Sequence, residues 1–133
     1  MSTDRKKLAL AYLEAVAKQQ YDQVEGVLAP DLRFRGPASS FASGEELVTA
    51  LKRLAAIHVR SDVRRVFVDG DDVCVIYDFV TDTAAGALPA VEWLRFEGGR
   101  ISAIDLYYDR LPWQTVMAAI AERGTRAAAQ PVA

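Results

Sequence analysis

Val91-Glu92-Trp93-Leu94-Arg95-Phe96-Glu97-Gly98-Gly99-Arg100-Ile101-Ser102-Ala103-Ile104-Asp105-Leu106-Tyr107-Tyr108 is the stretch that decides the fold. It is two runs of β-branched, aromatic and large apolar residues joined by Gly98-Gly99, a pair that accepts positive φ at both central positions of a two-residue hairpin turn. The runs therefore pair antiparallel. Side chains alternate along a strand, so Glu92, Leu94 and Phe96 share one face of the first arm, and Trp93, Arg95 and Glu97 share the other.

Upstream, residues 63–68 and 73–81 have the same strand composition and flank the turn signal Asp69-Gly70-Asp71-Asp72, which extends the hairpin into a meander. Downstream, Leu111-Pro112-Trp113 restarts a helix with proline in its first turn. Its apolar face is Trp113, Val116, Met117 and Ile120, and Gly124 is expected to end it. Before the meander come the other helices. Leu8, Ala11, Tyr12, Ala15 and Val16 form one helical stripe, with Ser2, Thr3 or Asp4 available as its N-cap. Asp22 with Glu25, then Val24, Val27 and Leu28, signals a second short helix stopped by Pro30. Residues 31–35 read as a short edge strand that Gly36-Pro37 breaks. Ser43-x-x-Glu46 is a capping box ahead of Leu47, Ala50, Leu51, Leu54 and Ala55, which predicts a third helix to about His58. The order is ααβαββββα, an α+β arrangement in which a curved sheet covers its apolar face with helices.

The chain has 133 residues, 51% of them hydrophobic, and needs no disulfide or metal to build a core. Sixteen basic against eighteen acidic residues give a net charge of −2, which argues against a nucleic-acid partner. One cysteine, Cys74, cannot form an internal disulfide, and with a single histidine, His58, it makes a poor metal inventory. No metal and no cofactor are expected. No run approaches a membrane span and the N-terminus lacks an apolar leader segment, so no membrane contact is expected and residence is expected to be cytoplasmic.

Several stretches carry a resemblance: Tyr12-Leu13-Glu14, Tyr21-Asp22-x-Val24, Leu28-Ala29-Pro30-Asp31, Gly44-Glu45-Glu46-Leu47 and residues 92–101 of the hairpin. Together they resemble the nuclear transport factor 2-like superfamily, and the SnoaL-like branch most. The resemblance covers roughly residues 4–113. It implies a cone-shaped α+β barrel, its curved, mostly antiparallel sheet wrapped around the N-terminal helical hairpin and the third helix. A single domain is expected over 1–124, with 125–133 a flexible C-terminal tail. It also implies an apolar pocket between the sheet and the helices. Glu92, Leu94, Leu106 and Tyr108 then face inward with Ile104, as do Phe34, Leu54, His58, Tyr77 and Phe79, while Asp105, Tyr107 and Asp109 point away or sit at the rim.

Tyr12 and Glu92 match the positions at which ketosteroid isomerases carry the tyrosine and the protonated carboxylic acid of their oxyanion hole, an enzyme that is a standard example of such an acid. A glutamate in an apolar cone has its charged form disfavoured, so it can donate a hydrogen bond at neutral pH and polarise a carbonyl or epoxide oxygen. The plainer readings are that Tyr12 is core and that Glu92 pairs with an arginine or serves the rim. The usual bases are missing. Gly36-Pro37 stands where isomerases have their proton-shuttling aspartate, and Ile104 and Leu106 stand where SnoaL-like cyclases carry histidine and aspartate. His58, Asp78 or Asp109 would have to supply a base. Asp78 alternates with Tyr77 and Phe79 and is expected on the outer face, His58 is equally readable as a packed or capping residue, and Cys74 reads as small buried core. Arg60, Arg64 and Arg65 read as a solvated strand flank.

The expected function is binding of a small apolar molecule, with isomerase, cyclase or epoxide hydrolase-like chemistry through Glu92 and Tyr12. The alternatives are a binding module without chemistry and a dimerisation domain. A homodimer through the outer sheet face is implied by the resemblance, with Trp93 and Tyr107 on that face.

Overall fold

A computed structural model describes residues 2–129 of the chain, and the side chains of residues 4–124. The elements are α1 (Ser2–Ala17), α2 (Tyr21–Val27), β1 (Leu28–Arg35), β2 (Ser40–Phe41), α3 (Gly44–Leu54), β3 (His58–Asp69), β4 (Asp72–Thr81), β5 (Ala87–Glu97), β6 (Arg100–Tyr108) and α4 (Arg110–Ala129). The expected order holds, with the two-residue strand β2 added to it.

The six strands form one open, curved sheet in the order β2-β1-β6-β5-β4-β3. The decisive hairpin pairs Trp93 with Asp105 and Leu94 with Ile104, and its turn has φ of 59° at Gly98 and 80° at Gly99, which only glycine adopts without strain at both positions. β1 is not an edge strand as expected. It lies between β2 and β6, parallel to β6, and begins at Leu28, upstream of Pro30. The β1–β6 register shifts between Leu28 and Arg33, and Pro30, which has no N–H to give a ladder, falls inside that irregularity. The sheet therefore does not close into a barrel; α1 packs across β3 and β4 and closes the cone there.

Several local expectations shift. The buried positions of α1 are Ala9, Tyr12, Leu13 and Ala15, Val16 is half-buried, and Ala11 faces solvent. α2 starts at an N-cap of Gln20 with no side-chain cap; Asp22 sits in the first turn instead of closing a box with Glu25. The box at α3 does form, for Ser43 Oγ accepts from the Glu46 N–H at 3.1 Å and Glu46 Oε2 accepts from the Ala42 N–H at 2.8 Å. α3 ends at Leu54, so His58 opens β3 and is not the end of a helix. α4 runs through Gly124 to Ala129, because the alanines and arginines on either side of Gly124 favour helix enough to offset one glycine, about 1 kcal/mol. Residues 130–133 of the expected tail lie outside the described residues.

At the narrow end of the cone, Leu32, Leu94, Ile101 and Ile104 are completely buried. At the wide end, α4 is tied down by Arg123, whose Nη1 donates to the Ala56 carbonyl and to Asp82 Oδ1, both at 2.6 Å. Among the described residues no helix is long and apolar enough to cross a membrane.

Candidate functional site

Between the concave sheet face and α1, α3 and α4 lies a cavity of about 960 Å³. Strand alternation builds its sheet wall. On β4 the inward positions Tyr77 and Phe79 face it, on β5 Leu88, Ala90 and Glu92, and on β6 Leu106 and Tyr108. Tyr12 enters from α1, Phe34 from β1 and Leu54 from α3. Of the residues expected to face the pocket, Leu94 and Ile104 do not line it. Leu94 pairs with Ile104 and Val73 where the cone narrows, and all three side chains are packed solid.

The polar centre is Glu92, 4% exposed. Tyr77 Oη donates to Glu92 Oε1 at 2.7 Å. Burial pushes the Glu92 carboxyl up from 4.5 to about 7, and the Tyr77 hydrogen bond, which favours the carboxylate, only moderates this. Tyr12 and Tyr77 have their pKa values raised well above 10, by burial first and then by the charge of Glu92. Tyr108 is raised too, by burial against the opposing Arg110, and its phenol is close enough to Tyr77 to add to that shift. Two neutral phenols, Tyr12 and Tyr77, thus stand close to one acid that is about half protonated near pH 7. The sequence pairs Glu92 with Tyr12; the structure adds Tyr77 as its hydrogen-bond partner. Period-two alternation places Tyr77 inward, but which phenol reaches Glu92 depends on the β4–β5 register, in which Tyr77 lies opposite Ala90, next to Glu92 on the same face.

The three candidate bases separate cleanly. Asp78 is on the outer face, 3.7 Å from Arg64. Asp109 caps α4, its Oδ1 accepting from the Leu111 N–H at 3.0 Å. His58 lines the cavity. Its ring stacks on Phe79 with centroids 4.1 Å apart, and Nε2 stands 3.1 Å from Ser61 Oγ. Burial lowers its pKa, partly offset by a backbone hydrogen bond with Arg60, so the ring is neutral at pH 7. Ser61 went unnoticed in the sequence for a physical reason. Residues three apart on a regular strand face opposite ways, and only the register shift between His58 and Arg60 turns both side chains inward.

Cys74 is half-buried on the outer face, not in the core, and burial pushes its thiol up, which disfavours the thiolate. Asp105 is buried under Arg35 and Arg95, Arg95 also stacks 3.7 Å over the Trp93 ring, and Tyr107 is 52% exposed. Arg60 pairs with Asp62 at 2.9 Å. Among the described residues no group of three or more His, Cys, Asp or Glu side chains is placed to hold a metal.

The architecture recurs in solved structures. An NTF2-like protein of unknown function from Cytophaga hutchinsonii superposes with a TM-score of 0.73 at 22% identity, over 83% of this chain and 94% of that one. A protein from Kribbella flavida gives 0.77 at 26% identity, over 87% and 95%. An LEH-like epoxide hydrolase from M. tuberculosis gives 0.71 at 18% identity, over 91% and 92%. No curated protein matches the chain. The family model of the SnoaL-like domain matches residues 9–104, from the buried stripe of α1 to the inward side of β6. The cone, its inward acid and this match lead to one assignment: the chain belongs to the SnoaL-like domain family of the nuclear transport factor 2-like superfamily.

Proposed function

We propose that the cavity binds a small, largely apolar molecule and polarises one oxygen of it, a carbonyl, lactone or epoxide oxygen, through protonated Glu92 and the adjoining phenols. The observation that carries this reading is the buried Tyr77–Glu92 pair at 2.7 Å with its acid raised to about 7. Tyr77 occupies Oε1, so the other carboxyl oxygen, when protonated, is the donor for a ligand. A neutral acid of this kind suits isomerisation, cyclisation or epoxide opening, the last being the activity named for the M. tuberculosis neighbour.

A second reading, binding without chemistry, is favoured by the apolar Ile104 and Leu106 on β6 and by the outward Asp78, so that of His58, Asp78 and Asp109 His58 alone lines the cavity. One experiment separates the readings. A thermal-shift panel of small ketones, lactones and epoxides identifies binders, which are then incubated with the protein and analysed by mass spectrometry. A product that forms with wild type and falls roughly a hundredfold with Glu92→Gln supports the first reading. A stabilising ligand recovered unchanged supports the second, and a panel without a single stabilising compound overturns both.

A further inference from the structure

Resting on the reading of Glu92 above, we propose that His58 and Ser61 form a second polar subsite at the wide end of the cavity, one that takes a hydroxyl group. The ligand class is then an apolar ring compound with a carbonyl or ether oxygen at one end and a hydroxyl at the other.

The placement follows from the strands. Ser61 pairs with Phe79, and Phe79 lies two residues along β4 from Tyr77, toward α4. With strands about 4.8 Å apart and a rise of about 3.3 Å per residue, the backbone of Ser61 is roughly 8 Å from that of Tyr77 and roughly 16 Å from that of Glu92, two strands across and four residues along. Both polar groups line the same cavity, and Phe79, Leu88 and Ala90 make the wall between them apolar. With both side chains reaching into the cavity, two linked six-membered rings span that gap.

The chemistry of the subsite differs from that of the Glu92 end. Protonated Glu92 and the phenols have hydrogens to donate to an oxygen, whereas a neutral imidazole accepts at one nitrogen. With His58 protonated at Nδ1, Nε2 accepts from Ser61 Oγ across the 3.1 Å contact. An incoming hydroxyl can take over Nε2, and the Ser61 hydroxyl can turn to donate to the incoming oxygen, so no polar group loses its partner. The ring is held for this exchange by its stack on Phe79, with the planes 15° apart. A ketone without the hydroxyl leaves the His58–Ser61 contact as it is and forgoes the second anchor.

Titration of the protein with 4-acetylbiphenyl and with 4-acetyl-4′-hydroxybiphenyl, followed by protein-observed NMR at pH about 6.5, tests this. In wild type the hydroxylated ketone is expected to bind roughly fivefold to tenfold more tightly, the equivalent of one neutral hydrogen bond. In His58→Leu that ratio should fall to about one, and His58→Gln, which retains an acceptor, should restore part of it. Ser61→Ala, a change of one hydroxyl, should also lower the ratio and serves if His58→Leu does not fold. Equal binding of the two ketones by wild type, binding of neither, or a ratio that survives His58→Leu and Ser61→Ala overturns the subsite. Tyr77→Phe separates this proposal from the one on which it rests. It should weaken both ketones alike and leave their ratio standing; unchanged affinity for both, with the ratio intact, sinks the Glu92 reading alone.

Discussion

Replacing Glu92 by Gln should change how the stability of the protein responds to pH, and the size of that change is fixed by the site. An exposed glutamate in the unfolded chain loses its proton near 4.5, whereas in the folded cone burial holds it to about 7. Between those limits the folded state binds more protons than the unfolded state, so stability falls as pH rises through the window. This is opposite in sign to the common case of a salt-bridged carboxylate. At about 1.4 kcal/mol for each pH unit, the interval corresponds to roughly 3 kcal/mol lost between pH 4.5 and pH 7.5, with no further loss from this group above that. Glutamine has nearly the same shape, keeps an oxygen to accept from Tyr77, and does not titrate.

Urea unfolding of both proteins at half-unit steps from pH about 4.5 to about 8, read by circular dichroism, gives the two stability curves. Every other titrating group is shared, so the difference between the curves isolates Glu92. The Glu92→Gln protein should gain on wild type steadily through the window and lead by roughly 3 kcal/mol at its upper end. Parallel curves would mean that Glu92 is ionised in the fold at the same pH as in the unfolded chain, and the neutral-acid reading of the cavity would fail with them.

Three further substitutions test the frame around the site. Ser43→Ala removes the oxygen that accepts from the Glu46 N–H and should cost about 1 kcal/mol in urea unfolding, with no change in m-value. Leu94→Ala empties a fully buried position at the narrow end and should cost about 2–5 kcal/mol; a cost below 1 kcal/mol would show that the narrow end is not packed as described. Arg123→Ala releases the Ala56 carbonyl and Asp82, and should speed amide hydrogen exchange along α4 while leaving β4 to β6 protected; unchanged exchange in α4 would show that the latch holds nothing.

Most of the frame was legible because its signals are local. Gly98-Gly99 dictates a turn whatever surrounds it, the Ser43 and Glu46 side chains find backbone donors within four residues, and period two places Tyr77 and Phe79 inward. What was not legible depends on partners distant in sequence. The parallel pairing of β1 with β6 joins residues about seventy apart, and nothing in residues 28–35 announces it. The one-residue slips in β3 are another case. They reverse the side-chain alternation, so His58 and Ser61 meet where a regular strand would separate them. Gly124 reads as a stop, yet α4 continues through it, because the alanines and arginines around it favour helix.

Among the described residues two carboxylates are buried, and the contrast between them supports the proposed ligand-binding reading of the cavity. Asp105 is 7% exposed and lies beneath two guanidinium groups, Arg95 at 2.7 Å and Arg35 at 3.2 Å. It is paired, and it ties together strands β1, β5 and β6. Glu92 is buried slightly more, yet among the described residues no cation pairs with it, and its protein hydrogen bond is the one from Tyr77. Leaving an acid in that state costs stability that an apolar residue of similar volume would not, so Glu92 is not explained by packing. Nor is it cut off, since it borders an open volume large enough for a small molecule and has a carboxyl oxygen that Tyr77 does not occupy. Asp105 is satisfied from within the protein, whereas Glu92 has one hydrogen bond from Tyr77 and borders the cavity, which is the placement that the proposed ligand-binding reading needs.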